Sequence, residues 1–171
     1  SFSTNCTGQL SVTYTIGGTP GATNFTSLDA ALNTLSNCGV SGPVTMNVMV
    51  GDTGSFVFSS VPGASATNTI KFVGVSNPAF YSFNQVVFEL DGVTYTSFEG
   101  MDLNCSSTAS LMVAWMHNNT HHVTFDNVNF YGLKSSSSAY NGATVGMSFL
   151  STNVNSEGDN GHHITIKNCL I

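Results

Sequence analysis

The sequence contains no arginine and only three lysines against nine acidic residues, and charged side chains make up 7% of its 171 residues. Binding along a nucleic-acid backbone needs clustered Lys and Arg, so that class of partner is excluded. The bidentate guanidinium grip on carboxylates and phosphates is missing for the same reason. No apolar run reaches the roughly 20 residues of a membrane-spanning helix, which excludes insertion by that route. The four cysteines (Cys6, Cys38, Cys105, Cys169) form neither a CxxC pair nor a Cys/His metal spacing. A content of 41% hydrophobic and 11% aromatic residues argues against disorder, and the length suits one domain with a real core. With charges so few, Ser, Thr, Asn and Gly must solvate the surface, as in an extracellular protein. The chain opens at Ser1 without a basic and apolar leader, as expected of a secreted protein whose signal peptide has been removed.

What is present is a repeat. The segments Val44–Met49, Ile70–Val75, Thr96–Met101, Val123–Val128 and Ile164–Cys169 align on central apolar residues Met46, Phe72, Phe98, Phe125 and Ile166, spaced 26, 26, 27 and 41 residues apart. Within each segment the first and third positions are apolar or β-branched and the second is polar, the alternation of a strand. The fifth column reads Val48, Gly74, Gly100, Asn127, Asn168; Gly and Asn tolerate left-handed backbone, which predicts a corner there. The sixth column returns to apolar residues and is expected to point inward. Between repeats, Phe56-Val57-Phe58, Val86-Val87-Phe88, Leu111-Met112-Val113 and Val145-Gly146-Met147 would supply another face of each coil. This pattern predicts an all-β chain folded as a parallel β-helix solenoid. A β-sandwich also has short strands and polar turns, but does not require the same residue classes to return every 26 residues.

One segment, Phe25–Leu35, has a helical apolar face at Leu28, Ala31, Leu32 and Leu35. Thr26 or Ser27 would cap its start, Gly39 its end, and Pro43 stops it. Residues 1–43 are therefore expected to form an N-terminal strand and capping helix, and residues 44–171 the coils. Because Ile171 falls within a repeat, coils are expected to continue beyond it. A Cys6–Cys38 bridge would tie the first strand to the helix, with Cys169 either paired or a buried free thiol.

The runs Tyr14–Gly18, Phe25–Leu32, Cys38–Val48 and Gly63–Phe72 resemble the start of secreted right-handed β-helix proteins of Bacteroidetes. The resemblance covers residues 14–76 and continues as generic pectate-lyase-like coils to 171. It implies a right-handed solenoid, export by the type IX secretion system, and anchoring or release through a C-terminal sorting domain. A fold resemblance assigns no chemistry.

Three groups of residues are candidates for a site. His121-His122 and His162-His163 fall in the same repeat columns; stacked about 4.8 Å apart, they would hold Zn²⁺ or Cu²⁺ with help from Glu157 and Asp159, or simply form a ladder at a corner that continues as Thr94-Tyr95. Glu99 and Asp126 share an outward column with Lys167; they would hold Ca²⁺, or Asp126 would pair with Lys167 instead. Trp115, Tyr131 and Tyr140, with Phe80 and Tyr81, are candidates for stacking on sugar rings, whereas Phe72, Phe98 and Phe125 read as an internal stack. No residue is assigned to catalysis, because neither a nucleophile motif nor a basic partner is present. The function expected is that of a secreted cell-surface protein with a structural, adhesive or carbohydrate-contacting role. The alternative is a polysaccharide lyase or glycoside hydrolase whose active coils lie partly beyond residue 171. Partners would be polysaccharide or cell-surface components, and the secretion machinery during export.

Overall fold

Alternation rather than continuous hydrophobicity governs the strands: in Val44-Thr45-Met46-Asn47-Val48 the first, third and fifth residues are buried and the others half-buried. The computed structural model describes residues 8–83, 86–105, 112–132, 147–148 and 161–171. Its elements in chain order are β1 (Thr13–Ile16), β2 (Asn24–Phe25), α1 (Leu28–Cys38), β3 (Val44–Val48), β4 (Phe56–Ser59), β5 (Ile70–Gly74), β6 (Ala79–Ser82), β7 (Phe88–Asp91), β8 (Thr94–Cys105), β9 (Ala114–His117), β10 (His121–Tyr131), β11 (Met147–Ser148) and β12 (His162–Lys167).

The fold is mostly β, with parallel sheets. One sheet runs β12-β10-β8-β5-β3-β1-β2, with β6 alongside the second half of β8; the other runs β11-β9-β7-β4. Met46, Phe72, Phe98, Phe125 and Ile166 are successive partners across the first sheet, so the segments aligned by sequence are hydrogen-bonded neighbours in that alignment. In the second sheet the partners are Phe56, Phe88, Ala114 and Met147. Two of these strands begin later than the sequence pattern places them. Val86, Val87 and Val113 are buried, but they lead into β7 and β9 instead of forming them.

Left-handed residues decide where the chain turns. Gly100, Asn127 and Asn168 have φ of 64°, 53° and 56° and shift the in–out phase by one residue. The side chains after the first two, Met101 and Val128, are therefore buried. Gly74 has no positive φ, contrary to the sequence expectation. Its lack of a side chain serves a close approach: a methyl group there would overlap the carbonyl oxygen of Gly100 and lie 2.6 Å from Pro78 Cδ. Without a left-handed residue at Val48, alternation simply continues, and Met49 points outward at 47% exposure instead of inward.

The core is an aromatic column. Phe72, Phe98 and Phe125 stack with centroids 5.4 and 5.1 Å apart, and Phe58 meets both Phe72 and Phe98 edge to face. Phe80 is 1% exposed and belongs to this core, so it is not available to a sugar. Helix α1 starts after Ser27, which is extended and accepts from Ala30 N–H, and ends at Gly39, whose N–H bonds to Leu35 O. These are the caps predicted for it, although the predicted segment starts at Phe25, which pairs in β2 instead. Leu28, Ala31 and Leu35 are buried in the common core.

Thr120 is fully buried where β9 passes to β10. Its hydroxyl reaches Leu90 O and His117 O, both at 2.8 Å, and accepts from Val93 N–H at 3.2 Å, tying adjacent turns of chain together. Thr120→Val removes the acceptor of the buried Val93 N–H and the hydroxyl's bonds to the two carbonyls, of which His117 O keeps its bonds from Gly92 and Thr120 N–H. The expected loss is about 1–3 kcal/mol in urea denaturation, with Thr120→Ser close to wild type because it keeps the hydroxyl.

Candidate functional site

The paired histidines open β10 and β12, and strand pairing sets His162 beside His121. The imidazoles of His121 and His162 stack at 4.8 Å with planes 7° apart; those of His122 and His163 stack at 4.7 Å and 3°. Tyr95 extends the second stack, 4.6 Å from His122. Tyr95, His122 and His163 all have positive φ, 49°, 54° and 52°, which L-residues with large side chains rarely adopt. These rings stack on one another across the neighbouring strands β8, β10 and β12. Residue type gives no warning of it; the shared column with Thr94-Tyr95 was the only sequence signal.

Hydrogen bonds define the proton positions. His162 Nε2 lies 2.9 Å from Asn119 Oδ1 and must donate, leaving Nδ1 bare to accept from His163 Nδ1 at 2.6 Å. His121 Nδ1 donates to Asn119 O at 2.7 Å. Nε2 of His121 and of His163 are left as bare acceptors on an exposed ladder. The rings lie face to face, so their nitrogens do not converge on one point. Among the described residues no group of three or more His, Cys, Asp or Glu is arranged to hold a metal ion.

Partial desolvation, then the neighbouring imidazoles, hold His122 and His162 below the ordinary histidine range. A histidine whose folded value is lowered binds its proton more readily when unfolded, so folding stability falls as pH drops through about 6.5. The melting temperature is expected to decrease between pH 7.5 and 5. Replacing His122 and His162 together by Asn, which tolerates positive φ, should flatten that slope, as calorimetric melting at several pH values would show. A slope unchanged by the double substitution would disprove the assignment.

Asp126 is the register partner of both Glu99 and Lys167. Glu99 is ion-paired with Lys71, and Asp126 with Lys167 at 3.0 Å. Asn168 Nδ2 also donates to Asp126 Oδ1 at 2.9 Å; this bond, and then Lys167, hold the Asp126 carboxyl below its usual range. Both carboxylates therefore already have cationic partners from the protein. The same amide-to-carboxylate link recurs as Asn129 to Asp102 and Asn118 to Asp91, each at 2.7 Å.

A cluster that the sequence did not reveal lies on the outward face of the second sheet. His117, 5% exposed, meets Glu89 Oε1 through Nε2 at 2.9 Å, and its Nδ1, buried without a hydrogen-bond partner, stands 3.9 Å from Asp91 Oδ1. Trp115 is half-buried and stacks on His117 at 4.1 Å, so one face of the indole is covered by protein. The contributors come from two neighbouring strands, β7 and β9, and form no motif. The alternations Glu89-Leu90-Asp91 and Trp115-Met116-His117 would have placed them together once the strand register was known.

Tyr131 is 39% exposed and shares an outward column with Asn104 and Tyr81. Cys38 is disulfide-bonded, while Cys105 and Cys169 are free thiols. Cys6, Tyr140, Glu157 and Asp159 lie outside the described residues. No helix among the described residues is long and apolar enough to cross a membrane. No protein-family model, curated protein or solved structure matches the chain.

Proposed function

We propose that the chain is a right-handed parallel β-helix that acts outside the cell as a structural or adhesive, carbohydrate-contacting surface. The observation that carries this reading is the outward face of the first sheet. There, residues one coil apart stack in register as short ladders of rings and hydroxyls: Tyr95, His122 and His163 in one column, Lys71, Ser97, Thr124 and Thr165 in the next. A lattice of hydrogen-bonding groups with a regular spacing, its charges paired as Lys71 with Glu99 and Lys167 with Asp126, suits an extended polymer better than a small charged metabolite. The handedness follows from the rule that crossovers between parallel strands of one sheet are right-handed in about 98% of cases. The disulfide at Cys38 supports an oxidising, extracellular setting. The resemblance to β-helix proteins of Bacteroidetes supports export by the type IX system.

The second reading, a polysaccharide hydrolase or lyase, draws on the buried His117 held by Glu89 and facing Asp91. One experiment separates the two. The protein is mixed with insoluble cellulose, xylan, mannan and pectin, and both retention and release of soluble sugar are measured. Retention without release is expected. Release that is lost in His117→Ala would establish the enzyme, and retention on none of the polymers would overturn the surface-contact reading.

A further inference from the structure

We infer that a single neutral pyranose ring of a glycan binds in a groove on the outward face of β5, β8 and β10, against Tyr95. The groove holds about 230 Å³, enough for one sugar ring, and is lined by Thr69, Lys71, Tyr95, Ser97, His122 and Thr124. This assignment rests on the carbohydrate-contacting reading above and names the place and the ligand class.

Three observations converge on it. His122 covers one face of the Tyr95 ring. The residue in the same column one coil away, on the other side, is Thr69, which follows from the pairing of Ile70 with Thr96. Threonine is too short to stack, so the ring's other face borders the groove. An aromatic face of this kind takes the apolar C–H face of a sugar, and the positive φ of Tyr95 holds it in place. Around it, Thr69, Ser97 and Thr124 offer hydroxyls that both donate and accept, which is what a ring of alternating hydroxyl groups requires. Lys71 is the charged group in the lining, and its ammonium is already paired with Glu99. A uronate carboxylate would meet an ammonium already neutralised by Glu99, in a chain of net charge −6, whereas a neutral sugar can still take an N–H donor of Lys71. These residues are distinct from Trp115, Tyr131 and Tyr140, the aromatics that the sequence put forward. Trp115 has one face against His117.

Isothermal titration calorimetry with cellohexaose, xylohexaose, mannohexaose and trigalacturonate tests the proposal. The wild-type chain should bind at least one neutral oligosaccharide. Tyr95→Ala should weaken that binding at least about tenfold, while Tyr95→Phe, which keeps the ring face, should stay within about threefold. Ser97→Trp fills the groove from an outward position and should abolish binding without disturbing the core. If Tyr95→Ala does not fold, Ser97→Trp decides. Undiminished binding in either folded variant overturns the site and leaves the surface-contact reading standing. Binding of trigalacturonate alone overturns the neutral ligand. Binding of no oligosaccharide, together with no retention on any insoluble polymer, removes both.

Discussion

Phe98→Ala is expected to lower the unfolding free energy by about 3–5 kcal/mol, as measured by chemical denaturation. Phe98 is 0% exposed and stacks between Phe72 and Phe125, with Phe58 meeting it edge to face. Truncating it removes both stacking contacts at once and leaves a cavity between neighbouring strands that cannot collapse, because hydrogen bonds fix the spacing of the strands on either side. Phe98→Leu, which keeps most of the volume, should cost about 1.5 kcal/mol or less. Losses of equal size for the two variants would mean that the ring is not held between two others.

Glycine in one sequence column should behave in two opposite ways. Gly74→Ala is expected to destabilise by about 3 kcal/mol or more, because the added methyl overlaps the backbone of Gly100 and meets Pro78. Gly100→Asn should stay within about 0.5 kcal/mol of wild type, since its φ of 64° matches the Asn127 and Asn168 that occupy the same column in later repeats. A methyl at Gly100 finds no atom nearer than 3.5 Å. If Gly74→Ala proved as mild as Gly100→Asn, the close approach between β5 and β8 would be wrong.

The same pair of glycines shows how far the sequence could be read. The apolar residues Met46, Phe72, Phe98, Phe125 and Ile166 announced which strands are neighbours and in what register, because burial demands an apolar side chain at the same point of every repeat. Gly and Asn announced a corner, but composition alone does not separate a glycine needed for its φ from one needed for its missing side chain. Gly74 was therefore misassigned, and Met49 points outward because Val48, in the same column, is not left-handed either. For the second sheet, buried valines preceding β7 and β9 looked like the strands themselves. At the histidine ladder the columns were legible, but the positive φ at Tyr95, His122 and His163 was not, since nothing in an aromatic side chain signals it. The His117 cluster and the groove beside Tyr95 were hidden for a different reason: each is assembled from residues of separate strands that share no local motif.

Parallel strands stacked at steps of about 26 residues underlie every contact described above. Nuclear Overhauser contacts in the 17.9 kDa protein test this most directly. The prediction is a continuous set of ring contacts from Phe72 to Phe98 to Phe125, with backbone contacts of the parallel type linking Lys71 to Ser97 and Ser97 to Thr124. Close Hα–Hα contacts of the antiparallel type between these strands, or ring contacts that skip Phe98, would contradict it.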